Sequence, residues 1–133
     1  MSMFAAAGGR DVVPSALNWA DFAAGGPPTF VYNANQTLAG LGTGISINLV
    51  VNHALTNYGA GDIIPAAFAY DKNSGGAVDC PDGTVISVTN GDTLRFGAYD
   101  GSDSGFGLMT ITGTVTVSNA SSGSTVLDTF AVT

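Results

Sequence analysis

Glutamate is absent from this 133-residue chain, and lysine (Lys72), glutamine (Gln36), histidine (His53) and cysteine (Cys80) each occur once. Lacking Glu, Lys and Gln, the chain has almost none of the residues that build soluble helix surfaces and i,i+4 ion pairs, so long amphipathic helices are close to excluded. Three cations (Arg10, Lys72, Arg95) stand against ten acidic residues, a formal net charge of −7. Phosphate neutralisation needs clustered Lys or Arg, so nucleic acid and anionic membrane are poor partners. A lone cysteine closes no intramolecular disulfide, which excludes a disulfide scaffold. No apolar run approaches the roughly 18 residues of a membrane-spanning helix. The opening MSMFAAAGGRDVVPS has no basic segment ahead of its apolar stretch, and its first Arg is Arg10, so it does not read as a signal peptide.

What is present points to β-structure. Hydrophobic residues make up 45% of the chain, enough apolar surface to offset chain entropy, and the length suits one domain with one core. The acidic residues are all Asp, accompanied by 19 Gly and many Ser, Thr and Asn. These are turn and strand-face residues, and they suit an antiparallel all-β domain with tight turns.

Two regions are expected: an apolar N-terminal arm over residues 1–28, and a β domain over 29–133. In the arm, Ser15 to Phe22 could form a helical turn or two with Ser15 as N-cap, before Gly25, Gly26, Pro27 and Pro28 break regular structure. Phe30–Tyr32 and Gln36–Leu38 read as a short pair. Ile45, Ile47, Leu49 and Val51 alternate with other residues and predict a half-buried strand. Pro65 makes the next strand an edge or starts it after the proline. Turns are expected at 71–76, at Pro81-Asp82-Gly83 and at Asn90-Gly91-Asp92, with strands from Val85 to Thr89 and through Leu94, Phe96 and Ala98. Met109, Ile111, Val115 and Val117 alternate with threonines and predict one long strand, Gly113 marking a bulge or a close neighbour. A hairpin over Asn119–Gly123 leads to the last strand, where Asp128 falls on the apolar face and predicts a bulge or an edge. Seven or eight strands at this spacing predict an antiparallel all-β sandwich.

No catalytic signature emerges. His53 and Cys80 have no partner in sequence that would activate them, and there is no G-x-S-x-G elbow. Gly40-Leu41-Gly42-Thr43-Gly44 opens a strand, whereas a phosphate-cradling loop opens a helix. Asp100 and Asp103 lack the D-x-D-x-D-G spacing of a calcium loop, and a solvated turn is the better reading. Neither metal nor cofactor is expected. The sequons at Asn35 and Asn119 read as incidental. Aromatic residues near turns, among them Tyr58, Tyr70 and Tyr99, could stack on sugar rings.

The runs VTNGDTLRFGA (Val88 to Ala98) and TGTVTVSNASSGSTVLDTFAVT (Thr112 to Thr133) resemble the small immunoglobulin-like sandwich domains of tailed-bacteriophage virion proteins. The resemblance implies a non-enzymatic structural protein of a phage or gene-transfer particle: a capsid decoration protein or a head or tail accessory protein. Its partners would be other virion proteins, in a homo-oligomer or symmetric assembly, and its location the virion. The arm would attach it, through Phe4, Val12, Val13, Leu17, Trp19, Phe22 and Phe30, and deleting residues 1–28 should leave a folded β domain. The alternative reading is a carbohydrate-binding or adhesion module on the same sandwich, with glycans as ligand.

Overall fold

The computed structural model describes residues 13–60, 63–103, 107–120 and 125–133. Its strands are β1 (Val31–Tyr32), β2 (Gln36–Thr37), β3 (Ser46–His53), β4 (Ala67–Lys72), β5 (Val78–Asp79), β6 (Thr84–Thr89), β7 (Thr93–Tyr99), β8 (Gly101–Ser102), β9 (Leu108–Met109), β10 (Gly113–Asn119) and β11 (Thr125–Val132). No α-helix occurs among the described residues.

The chain is an all-β antiparallel sandwich. One sheet has the order β11-β10-β3-β6; the other runs β1-β7-β4-β5, with β2 also on β7. β1 meets β7 at Ala98 and Gly97, and β2 meets it at Leu94 and Thr93, so the two form one interrupted edge strand. They do not pair with each other as their spacing suggested. The consecutive strands β3 and β4 lie in opposite sheets, as do β6 and β7, while β3 pairs with β6 and β4 with β7. This interlock is shared with immunoglobulin sandwiches. The last hairpin, β10–β11, extends the sheet from β3 rather than from β7.

Alternation settles which side chains meet between the sheets. Ile47, Leu49 and Val51 of β3, Ile86 and Val88 of β6, and Val115 and Val117 of β10 face Phe68 of β4 and Leu94, Phe96 and Ala98 of β7, all buried. The rings of Phe68 and Phe96 stack 5.8 Å apart, and Phe96 also meets Phe130 at 5.2 Å. β3 and β6 bury every second residue, so Ser46, Asn48 and Asn52 of β3 and Ser87 and Thr89 of β6 stay exposed on the outer face.

Residues 13–28 are part of this sandwich rather than an arm beside it. Two N–H groups that a helix over 15–22 would use internally go to tertiary partners, Trp19 to the Asp128 carboxylate at 2.6 Å and Phe22 to the Ala131 carbonyl at 3.0 Å, and Ser15 donates to the Ala39 carbonyl at 2.8 Å. Ser, Asn, Trp and Asp are weak helix formers, so little propensity opposes the extended path. Phe22 bridges in parallel to Val132 on β11, and Gly25 to Tyr99 at the end of β7. The segment therefore crosses from one sheet to the other and closes that side of the sandwich. A Cβ on Gly25 would collide with the Thr29 carbonyl and the Val31 side chain, so glycine is required at this crossing.

Three local expectations resolve in the same way. The strand after Pro65 begins at Ala67, and it is an inner strand because β5 and β7 flank it. The long strand expected over 109–117 is split, since Gly113 at φ +150° turns the chain where an added Cβ would lie 3.1 Å from the Leu55 Cα. β11 is an edge strand within its sheet and is also bulged: Val117 faces Asp128 while Ser118 faces Val126, which leaves Leu127 unpaired. Most of the expected Asn119–Gly123 loop lies outside the described residues.

Candidate binding cleft

The aspartates show how little chemistry is left free. Asp21 accepts the Ala131 N–H, Asp71 that of Gly76, Asp82 that of His53 and Asp92 that of Thr89. Asp100 accepts the Ile111 N–H, Asp103 that of Gly107 and Asp128 that of Trp19. Each carboxylate braces a turn or pins one segment to another, a use for which the short Asp side chain is fitted. Asp71 also receives Arg95 Nε and Nη2, both at 2.8 Å, and the guanidinium carbon lies 3.9 Å from the centre of the Tyr32 ring. In the turn beyond β6, the Asn73 side chain and the Thr89 amide, both bonded to Asp92, hold its carboxyl below the usual range.

Asp79 is the exception. Its Oδ1 accepts the Tyr58 hydroxyl at 2.8 Å and it accepts no backbone N–H among the described residues. Asp79 lies opposite Ala69 and Ala69 opposite Gly97, so β5, β4 and β7 run side by side here, with Ala69 and Gly97 themselves buried. One register step along, Ala67 lies opposite Tyr99. Ala66 and Ala67 form a floor bounded by Tyr99 on one side and by Tyr58, Asp79 and Pro81 on the other, an open cleft of about 420 Å³. Phe30 meets Tyr99 edge-on at 4.7 Å from outside the cleft and braces its ring. Burial, with the bonded and charged Asp79 beside it, raises the Tyr58 hydroxyl above its ordinary pKa, so it stays protonated and donates.

Tyr58 is held by the ring of His53 at 5.2 Å, and His53 Nε2 lies 2.8 Å from the Cys80 carbonyl. Cys80 itself is buried, and burial pushes its thiol up to about 12. Gly101 lets the cleft's other flank approach, because an added Cβ would lie 2.8 Å from the Ala66 amide nitrogen. No group of three or more His, Cys or Asp side chains placed to hold a metal ion occurs among the described residues.

The attachment residues expected from sequence do not come together. Phe4 and Val12 lie outside the described residues. Leu17 and Trp19 are core residues, Trp19 being 1% exposed and donating its Nε1–H to the Leu94 carbonyl at 2.8 Å. A side chain so buried offers no surface to another subunit. Phe22 packs half-buried on the core beside Phe130, and Phe30 belongs to the cleft's outer wall. Val13 alone is exposed among the described members of the set, and with Val126 it rims a slot of about 140 Å³ beside Leu17 and Leu127. Tyr99 and Tyr58 were legible as aromatics near turns; Asp79 gave no signal, since in sequence it is one aspartate among ten.

Comparison with protein-family models, with curated proteins and with solved structures finds no match to this chain.

Proposed function

We propose that this chain is a non-enzymatic structural protein of a tailed-phage or related particle, a capsid decoration or head or tail accessory protein. The observation that carries the reading is the commitment of the described aspartates, Asp79 apart, to backbone N–H groups of the chain itself. Carboxylates used in this way stiffen a sandwich against fluctuation and are committed to structure rather than to proton transfer. The two segments that resemble virion domains supply the β6–β7 corner, which joins the two sheets, and the β10–β11 hairpin, which lies in the sheet of β6. Attachment in this reading falls to the rim formed by Val13 and Val126, whose exposed aliphatic side chains gain by burial against a neighbouring subunit.

The test is location. Antibodies raised against the purified chain should label density-banded tailed-phage particles from its source, and separated heads or tails should retain the signal. Particles that never carry the chain overturn the reading. With the location established, Val13→Asp combined with Val126→Asp should leave the fold intact and lower incorporation.

A further inference from the structure

We infer that the cleft between Tyr58, Asp79 and Tyr99 binds a neutral glycan by stacking one sugar ring on Tyr99 and accepting its hydroxyls on Asp79. The inference goes beyond the structural role proposed above and does not depend on it.

Three observations carry it. First, Asp79 is the described aspartate that braces no backbone group; Tyr58 fixes one of its oxygens, and no further hydrogen bond to it is found among the described residues. A carboxylate held in one orientation with an oxygen facing an open cleft is a preorganised acceptor. Second, the floor is Ala66 and Ala67, so a flat ligand can reach the Tyr99 ring, which Phe30 holds edge-on from behind. Third, among the described residues no Lys or Arg lines the cleft. Phosphorylated or carboxylated ligands would meet uncompensated negative charge there.

The ligand is therefore not an anion, and the cleft calls for hydrogen-bond donors along one edge and an apolar face. A pyranose has both features: vicinal hydroxyls for the carboxylate and a face of C–H groups for the tyrosine. A proline-rich strand would also stack on tyrosines, but its prolines carry no N–H and would leave the Asp79 acceptor desolvated and unpaired. The volume of about 420 Å³ falls in the range of small-ligand sites.

The test is a titration of the full-length, isotope-labelled chain with maltotriose, cellotriose and triacetylchitotriose, followed by amide NMR, with a proline-rich decapeptide as a parallel arm. At least one saccharide should produce saturable shifts at Gly59, Ala66, Ala67 and Asp79. Asp79→Asn and Tyr99→Ala should each weaken that binding about tenfold or more, while Tyr99→Phe keeps the ring and most of the affinity. Thermal melts of the variants separate lost binding from lost fold. Absence of saturable shifts with all three saccharides, shifts with the peptide alone, or full affinity in folded Asp79→Asn overturns the inference. None of these outcomes touches the presence of the chain on particles, which is read by the antibody experiment.

Discussion

The Trp19 main-chain N–H donates to the Asp128 carboxylate of β11, while the Trp19 indole N–H donates to the Leu94 carbonyl of β7 in the opposite sheet. One residue thus ties both halves of the sandwich, and its ring meets Phe96 edge-on at 5.3 Å between them. Trp19→Ala should cost about 3–5 kcal/mol through the cavity and the unpaired Leu94 carbonyl. Removal of residues 1–28 deletes Leu17 as well and exposes the side that they close. Urea unfolding followed by circular dichroism should show the truncated chain less stable than Trp19→Ala, opposite to what a dispensable arm would give.

Arg95 covers an otherwise buried carboxylate, the Asp71 side chain being 3% exposed and that of Arg95 33%. Arg95→Met removes the guanidinium from both Asp71 and the Tyr32 ring and leaves Asp71 with the Gly76 N–H as its remaining hydrogen-bond partner among the described residues. A loss of about 1–3 kcal/mol is expected, read as a lower denaturant midpoint with an unchanged slope. Asp71→Asn in the same background should recover part of it, because the desolvated charge is then gone.

Asp92 sets a pH dependence whose sign follows from its lowered pKa. A carboxyl with a folded-state pKa below its unfolded value stabilises the fold above the unfolded pKa, and that contribution is lost as pH falls through the folded value. NMR titration should place the Asp92 midpoint below that of an unstructured Asp. Asp92→Asn should flatten the acid limb of the stability curve; an unchanged limb would show that the turn carries no linkage.

Cys80 should be inert in the native state. With its thiol pushed up to about 12 by burial, almost no thiolate exists at pH 8, and the side chain is out of reach of reagent. A chromogenic disulfide reagent should therefore react at once in urea and only slowly in buffer. Rapid native labelling would place Cys80 outside the core.

Gly101 permits the close approach of Ile64 to Ala66, the cleft's flank, where an added Cβ would meet backbone atoms rather than a movable side chain. Gly101→Ala should cost about 1–3 kcal/mol and shift the amide resonances of Ala66 and Ala67 without a ligand. Stability equal to that of the parent would mean that the segment lies farther away.

The sequence by itself determined the class of fold. With no Glu and one Lys the chain cannot build helix surfaces, and the period of two through Ile47, Leu49 and Val51 assigns their shared face without reference to any other segment. Turn chemistry at Asn90-Gly91-Asp92 is equally local: Gly91 takes φ +89° and Asp92 bonds back to Thr89. Tertiary structure alone decided where residues 13–28 go, because an apolar segment with Trp19 reads alike whether it packs on its own core or on a neighbour. What placed it were partners more than 70 positions away, the Leu94 carbonyl and the Asp128 carboxylate. The same reason hid Asp79: ten identical carboxylates differ only in the N–H groups that folding brings to them, and folding brings Asp79 a tyrosine hydroxyl and an open cleft instead.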